Sequence, residues 1–264
     1  MNNIRTKEIS LQQAVLQRIT FLRDHLDADE SDKEYIHRIR VDIKYLRAWL
    51  RLTRIKNDSM KWKEMDRNLS DQSKYLGQVR DRQAIQKTLN ILSKVANSKK
   101  EKNILKLVKN KIAEKPDSEI NLELAKQEII RLLDIFDKNF VDVDSIEFIH
   151  EKLQLSFNKV KKFGDIVFSN REAKEEIHKF RKWVKHLYYQ IKYIGGIFSA
   201  NDKKELNKLG KDLGEAHDLL VLKDLLPELV EKGDLNTLKK LINKEIDQIV
   251  NISNKRFKKL KKLS

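Results

Sequence analysis

The sequence has no cysteine, only two prolines and only seven glycines in 264 residues. Without cysteine there is no disulfide framework, no thiolate metal site and no cysteine nucleophile. The scarcity of glycine and proline excludes turn-dense β folds, whose hairpins and corners depend on both. No apolar run approaches the roughly 18 residues of a membrane span, and the amino terminus MNNIRTKEIS lacks the apolar segment of a secretory signal. No nucleophile–base pair, P-loop or dinucleotide fingerprint occurs. The expectation is a cytoplasmic all-α protein that is not an enzyme and carries no cofactor.

What the chain has instead is charge. Charged residues make up 36% of it, with 56 Lys or Arg against 40 Asp or Glu and a net charge of +16. A hydrophobic fraction of 40% is still enough for a packed core. The excess points to an anionic partner, and nucleic acid, a membrane surface and polyphosphate all fit. The charge is also unevenly placed. Between Asp117 and Glu151 ten acidic residues face three basic ones, so a balance of −7 there leaves +23 for the remainder. Positive charge concentrated in this way predicts a defined basic surface.

Apolar residues recur at three and four throughout, as in Leu124, Ile129, Leu132, Leu133 and Phe136. This periodicity predicts helices near 8–27, 32–56, 60–76, 78–97, 100–114, 118–138, 144–163, 171–195, 202–213, 215–231 and 234–262. Expected stops are Lys115-Pro116-Asp117-Ser118 and Gly195-Gly196, with Asp202 as a cap.

The chain also resembles itself. Ile36–Leu52, IHRIRVDIKYLRAWLRL, aligns without gaps on IHKFRKWVKHLYYQIKY from Ile177 to Tyr193, matching His37 to His178, Arg40 to Arg181, Lys44 to Lys185 and Leu46 to Leu187. A second block follows each, with Leu76-Gly77 and Asp81 against Leu213-Gly214 and Asp218. Matched blocks in the same order point to a duplicated helical unit with a break near Asp142.

On a helical wheel at about 100° per residue, His37, Arg40, Lys44, Arg47 and Arg51 fill an arc of about 80°. Ile36, Ile39, Ile43, Leu46 and Leu50 border it on one side, and Val41, Tyr45, Ala48 and Leu52 on the other. A solvated face would have polar neighbours, so this stripe is expected to look into a wet groove between packed helices. Arg38 and Asp42 fall on the one arc left to solvent. Like charges at three- and four-residue spacings cost a few tenths of a kcal/mol each, a penalty that a bound anion removes. The second block repeats the layout with His178, Arg181, Lys185 and Lys192, Tyr188 standing at the position of Arg47.

His-x-x-Arg-x-x-x-Lys-x-Leu, present at His37 and again at His178 and followed each time by Leu-Gly-x-x-[Arg/His]-Asp, resembles the CHAD family, the conserved histidine α-helical domain. The resemblance covers nearly the whole chain. It implies one domain over 1–264, built as two pseudo-symmetric helical bundles from an internal duplication, about 1–141 and about 142–264, packed around a basic central cavity. It also implies binding of inorganic polyphosphate, in the cytoplasm and at polyphosphate granules. The residues assigned to that site are His37, Arg40, Lys44, Arg47, Arg51, Lys74 and Arg80, with His178, Arg181, Lys185, Tyr189, Lys192, Lys211 and His217. Two departures from the family pattern stand out: Lys44-Tyr45 where two arginines are usual, and Tyr188 where arginine is usual. The Glu-x-Glu-x-Lys signature of the CYTH barrel that often accompanies the family is missing, so a stand-alone domain is expected. Nucleic acid and other polyanions are the alternative partners.

Other features have plainer readings. Neither His37 nor His178 has a second histidine or a carboxylate at helical spacing on its own arc, so no metal is expected. His217-Asp218 reads as repeat structure. Gly77 and Gly214 are expected at turns or close helix contacts, with Arg80 and His217 just inside the next helix, where the dipole favours anions. Trp49, Trp62 and Trp183 read as core or interface aromatics. If the two motif histidines touch phosphate, binding is expected to take up protons between about pH 6 and 8. Six basic residues among the last ten suit either a solvated helix end or a contact with an anionic surface.

Overall fold

A computed structural model of the chain describes residues 11–32, 34–52, 59–114, 120–139, 146–169, 174–192 and 198–261. Every long element among them is an α-helix, in the order α1 (Leu11–Leu26), α2 (Tyr35–Leu52), α3 (Ser59–Tyr75), α4 (Gly77–Val95), α5 (Lys99–Glu114), α6 (Leu122–Asn139), α7 (Ile146–Ser169), α8 (Lys174–Ile191), α9 (Ala200–Leu225) and α10 (Lys232–Lys261). The protein is all-α: no strand occurs among the described residues, and no helix among them is long and apolar enough to cross a membrane.

Short-range chemistry explains where several helices begin. Ser98 Oγ accepts from the Glu101 amide, while the Glu101 carboxylate accepts from the Asn97 and Ser98 amides at 2.9 Å, a reciprocal capping box that starts α5 and holds the Glu101 carboxyl below its ordinary pKa. Ser199 and Asp202 repeat the arrangement at α9. Ser199 is therefore the cap and Asp202 its partner three residues on, which corrects the expectation for Asp202. Asn121 caps α6 by accepting from the Leu124 amide at 2.9 Å.

The expected break near Gly214 does not occur. α9 runs unbroken from Ala200 to Leu225 and stops at a 3-10 turn, Leu226–Glu228, whose Pro227 has no amide hydrogen to continue the ladder. The stops expected at 115–118 and at Gly195-Gly196, and the break near Asp142, lie outside the described residues.

Cα packing divides the chain into two compact units. Unit 1 comprises 1–78, 120–160 and 185–204, and unit 2 comprises 79–119, 161–184 and 205–264, so each draws on both halves of the chain. In unit 1, α1 packs on α2, α2 on α3, α3 on α6 and α6 back on α1, a closed ring of four helices. Their inward residues keep coiled-coil spacing: Val15, Ile19, Leu22 and Leu26 of α1, and Ile39, Ile43, Leu46 and Leu50 of α2, are all buried. Unit 2 has its own core, in which Leu89 and Leu92 of α4, Leu105 and Val108 of α5, Leu219 and Leu222 of α9, and Leu238 and Ile242 of α10 come together.

Candidate functional site

The flanked stripe on α2 is present in unit 1. Ile39, Ile43, Leu46 and Leu50 are buried along one edge and Tyr45, Ala48 and Leu52 along the other, while Ile36 and Val41 are only half-buried. Between them His37, Arg40, Lys44 and Arg47 are half-buried, and Arg51 is exposed at the end. The expectation for Asp42 is overturned: it is only 1% exposed. Arg18 Nη1 donates to its Oδ1 at 2.6 Å and His25 Nδ1 lies 2.5 Å from its Oδ2, so α1 covers the arc assigned to solvent and supplies partners for the buried carboxylate. Arg38 is on the outer side, paired with Asp32 at 2.8 Å.

Two residues that sequence reasoning missed shape this stripe. Asp66 on α3 accepts from Arg47 Nε at 2.8 Å with Oδ1, and from Arg51 Nε and Nη2 at 3.0 and 2.8 Å with Oδ2. Part of the like-charge repulsion along α2 is thus already relieved inside the protein. His186 on α8 is enclosed in the same neighbourhood. Burial first, then the Arg51 charge, push its pKa down to about 3, with Asp66 opposing and Arg47 adding to the depression. The imidazole is neutral at pH 7, and Gln190 Nε2 lies 3.0 Å from its Nε2 and donates to the Ala48 carbonyl at 3.2 Å.

Those bonds bring the end of α8 onto α2. Tyr189 meets Tyr45 with ring centroids 4.4 Å apart, and Lys192 Nζ stands 5.1 Å over the Tyr45 ring. Lys185 is half-buried on the same helix. Unit 1 therefore gathers residues from both matched blocks. Lys74 lies apart from this grouping, 75% exposed and paired with Asp71 at 2.8 Å.

Unit 2 holds a second cluster. The rings of His178 on α8 and His217 on α9 lie 4.6 Å apart at 33°. His178 Nδ1, His217 Nδ1 and Arg181 Nε are buried without a hydrogen-bond partner; the Asp218 carboxylate stands 3.5 Å from His217 Nδ1, longer than a good hydrogen bond. Burial, then the charges of His217, Lys182 and Arg181, lower the His178 pKa to about 4. His217 sits in the middle of α9, so the expectation that it enjoys a helix N-terminus is corrected. Lys211 is exposed on the same helix, and the side chain of Arg80 lies outside the described residues.

Burial of the His178 and His186 imidazoles makes folding stability depend on pH. The folded state resists protonating His178 and His186 until well below their ordinary value of 6.5, whereas an unfolded chain takes up those protons near it. Their contribution to stability is complete above about pH 6.5 and is lost as the pH falls towards 4 and 3. Thermal melting is expected to drop over that interval, and the His178 Cε1 proton to titrate near pH 4 by NMR.

In both units the block arginine meets the block glycine. A Cβ on Gly77 would lie 2.9 to 3.1 Å from the Arg40 guanidinium, so glycine lets that group rest on the start of α4. At Gly214 the corresponding distance to Arg181 Nε is 3.6 Å, ordinary van der Waals contact. The two alanine variants should therefore behave differently. Gly214→Ala is expected to stabilise the protein by roughly 0.5–1 kcal/mol through helix propensity, leaving Arg181 in place. Gly77→Ala should scarcely change the urea midpoint, yet displace the flexible Arg40 head and alter any anion binding that uses it.

Among the described residues no group of three or more His, Asp or Glu is placed to hold a metal ion. In comparison with known proteins, the family model of the CHAD domain matches residues 13–227. No curated protein matches the chain.

Proposed function

Because the chain belongs to the CHAD domain family, we propose that it binds inorganic polyphosphate without turning it over, along the basic residues of its two His-x-x-Arg-x-x-x-Lys helices. The observation that carries this reading is the repeated arrangement. In each unit an arginine from the first block lies half-buried against the glycine of the second. In unit 2 the same neighbourhood leaves imidazole and guanidinium nitrogens buried without a hydrogen bond. Buried polar atoms without partners are uncommon, and phosphate oxygens accept from such donors through strong charge-assisted bonds. On α2, His37 to Arg51 spans about 21 Å at 1.5 Å per residue, a length that suits an extended polyanion more than a single phosphate.

Affinity should fall with salt and rise with chain length, since each further phosphate adds contacts and releases counterions. Calorimetry with orthophosphate and with long chains tests this, and equal affinity for the two would overturn it. Competition with duplex DNA at matched salt separates the nucleic-acid alternative. Absence of orthophosphate release with added divalent metal would agree with a binding role. Anion contact raises a histidine pKa, so proton uptake on binding in unit 2 should begin from about 4 upward instead of centring between about pH 6 and 8.

A further inference from the structure

We infer that Asp66 sets the chain-length selectivity of the α2 stripe: it is an internal anion held by Arg47 and Arg51, which a long polyphosphate displaces and a short phosphate does not. The inference rests on the polyphosphate reading above and adds to it a residue from outside the matched blocks.

Arg47 and Arg51 are one helical turn apart on α2, and a single carboxylate from α3 joins them. Three nitrogens donate to its two oxygens at 2.8 to 3.0 Å. Two guanidinium groups sharing one anion is the coordination a phosphate group would take there. A lone phosphate arriving at this point exchanges one anion for another and gains little. If Asp66 stays, the newcomer meets a negative charge at close range. His186 offers no compensating charge at neutral pH, because burial and the neighbouring arginines keep it neutral.

A chain has a different balance. Once its first phosphates engage His37, Arg40 and Lys44, the following ones are delivered to Arg47 and Arg51 at high effective concentration. Displacing Asp66 then becomes an intramolecular step that costs no further association entropy. The carboxylate is partly exposed, so it can turn to water when released. Selectivity arises because the penalty is the same for every ligand, while only longer ones have the additional contacts to overcome it.

The test is calorimetry on the full chain with tripolyphosphate and with long-chain polyphosphate. Asp66→Asn keeps the shape and removes the charge. It is expected to tighten tripolyphosphate binding about tenfold, the size of one charged hydrogen-bond exchange, and long-chain binding far less. Glu64→Gln removes a charge from an exposed position on the same helix and should move both ligands alike. Asp66→Glu keeps the charge and should keep the wild-type selectivity. Equal tightening of both ligands by Asp66→Asn would mean that bulk charge alone acts, and weakening of both would mean that Asp66 merely positions the arginines; either result overturns the inference. If Asp66→Asn loses its helical circular dichroism, Asp66→Ser is read by the same ratio. A wild-type protein that binds neither ligand would defeat the polyphosphate reading itself, whereas wild-type binding with unchanged selectivity in the variants defeats only this inference.

Discussion

Truncating Phe257 to alanine is expected to destabilise unit 2 by about 3–5 kcal/mol, the range for a buried phenylalanine. Its ring is 3% exposed and packs against Phe168 and Phe180 with centroids 5.3 and 5.6 Å away. It lies over Gly164 of α7 so closely that a Cβ there would fall 2.3 to 2.9 Å from three ring atoms. Gly164→Ala should therefore destabilise as well. Overpacking costs about 1–3 kcal/mol, offset by about 1 kcal/mol from replacing a helical glycine. The two changes are coupled, so Gly164→Ala combined with Phe257→Leu should be more stable than the sum of the single losses. Urea midpoints of the four proteins would show this, and simple additivity would remove the clash as the explanation. The family match ends at residue 227, yet α10 supplies Leu238 and Ile242 to the unit 2 core. Deleting α10 should accordingly expose that core and abolish cooperative unfolding of unit 2.

Replacing Arg40 with alanine is expected to weaken polyphosphate binding by roughly 1–3 kcal/mol, about five- to 150-fold, as for a charge-assisted hydrogen bond. Arg38→Ala is the control. It removes the same charge two residues away, from a side chain directed to Asp32 and away from the stripe. Arg181 and Lys179 form the matching pair in unit 2, where Lys179 is 54% exposed and bonded to Glu176. Direct titration of the four alanine variants decides between a lined site and bulk electrostatics. Equal losses within each pair would mean that net charge holds the anion and that the stripe has no special role.

Much of this was legible because it depends on neighbours along the chain. The spacing of Ile39, Ile43, Leu46 and Leu50 dictates which face of α2 enters a core, and the same arithmetic places Arg40, Lys44 and Arg47 together between two apolar edges. The all-α class followed from periodicity and from the scarcity of glycine and proline. The position of Asp42 could not be obtained in this way. Its wheel angle suggested water, and only the approach of α1, with Arg18 and His25, made a buried carboxylate tenable. Gly214 read as a break between helices at 202–213 and 215–231, but helix-forming neighbours on both sides carry α9 through it.

The features readable along the chain were therefore local: helical segments, their buried faces, and a basic arc repeated on α2 and α8. Each follows from side chains three or four residues apart, where backbone geometry alone sets the distance. The tertiary structure decided which charges are spoken for. Asp66 reaches Arg47 and Arg51 from another helix, and no spacing along the chain singles it out from the other acidic residues of α3. His178 and His217, 39 positions apart in sequence, stack only because α8 and α9 bring them together. A charge-assisted bond requires its atoms within about 3 Å, and for residues on different helices that distance is set by how apolar faces seat against one another, a property of the packed whole.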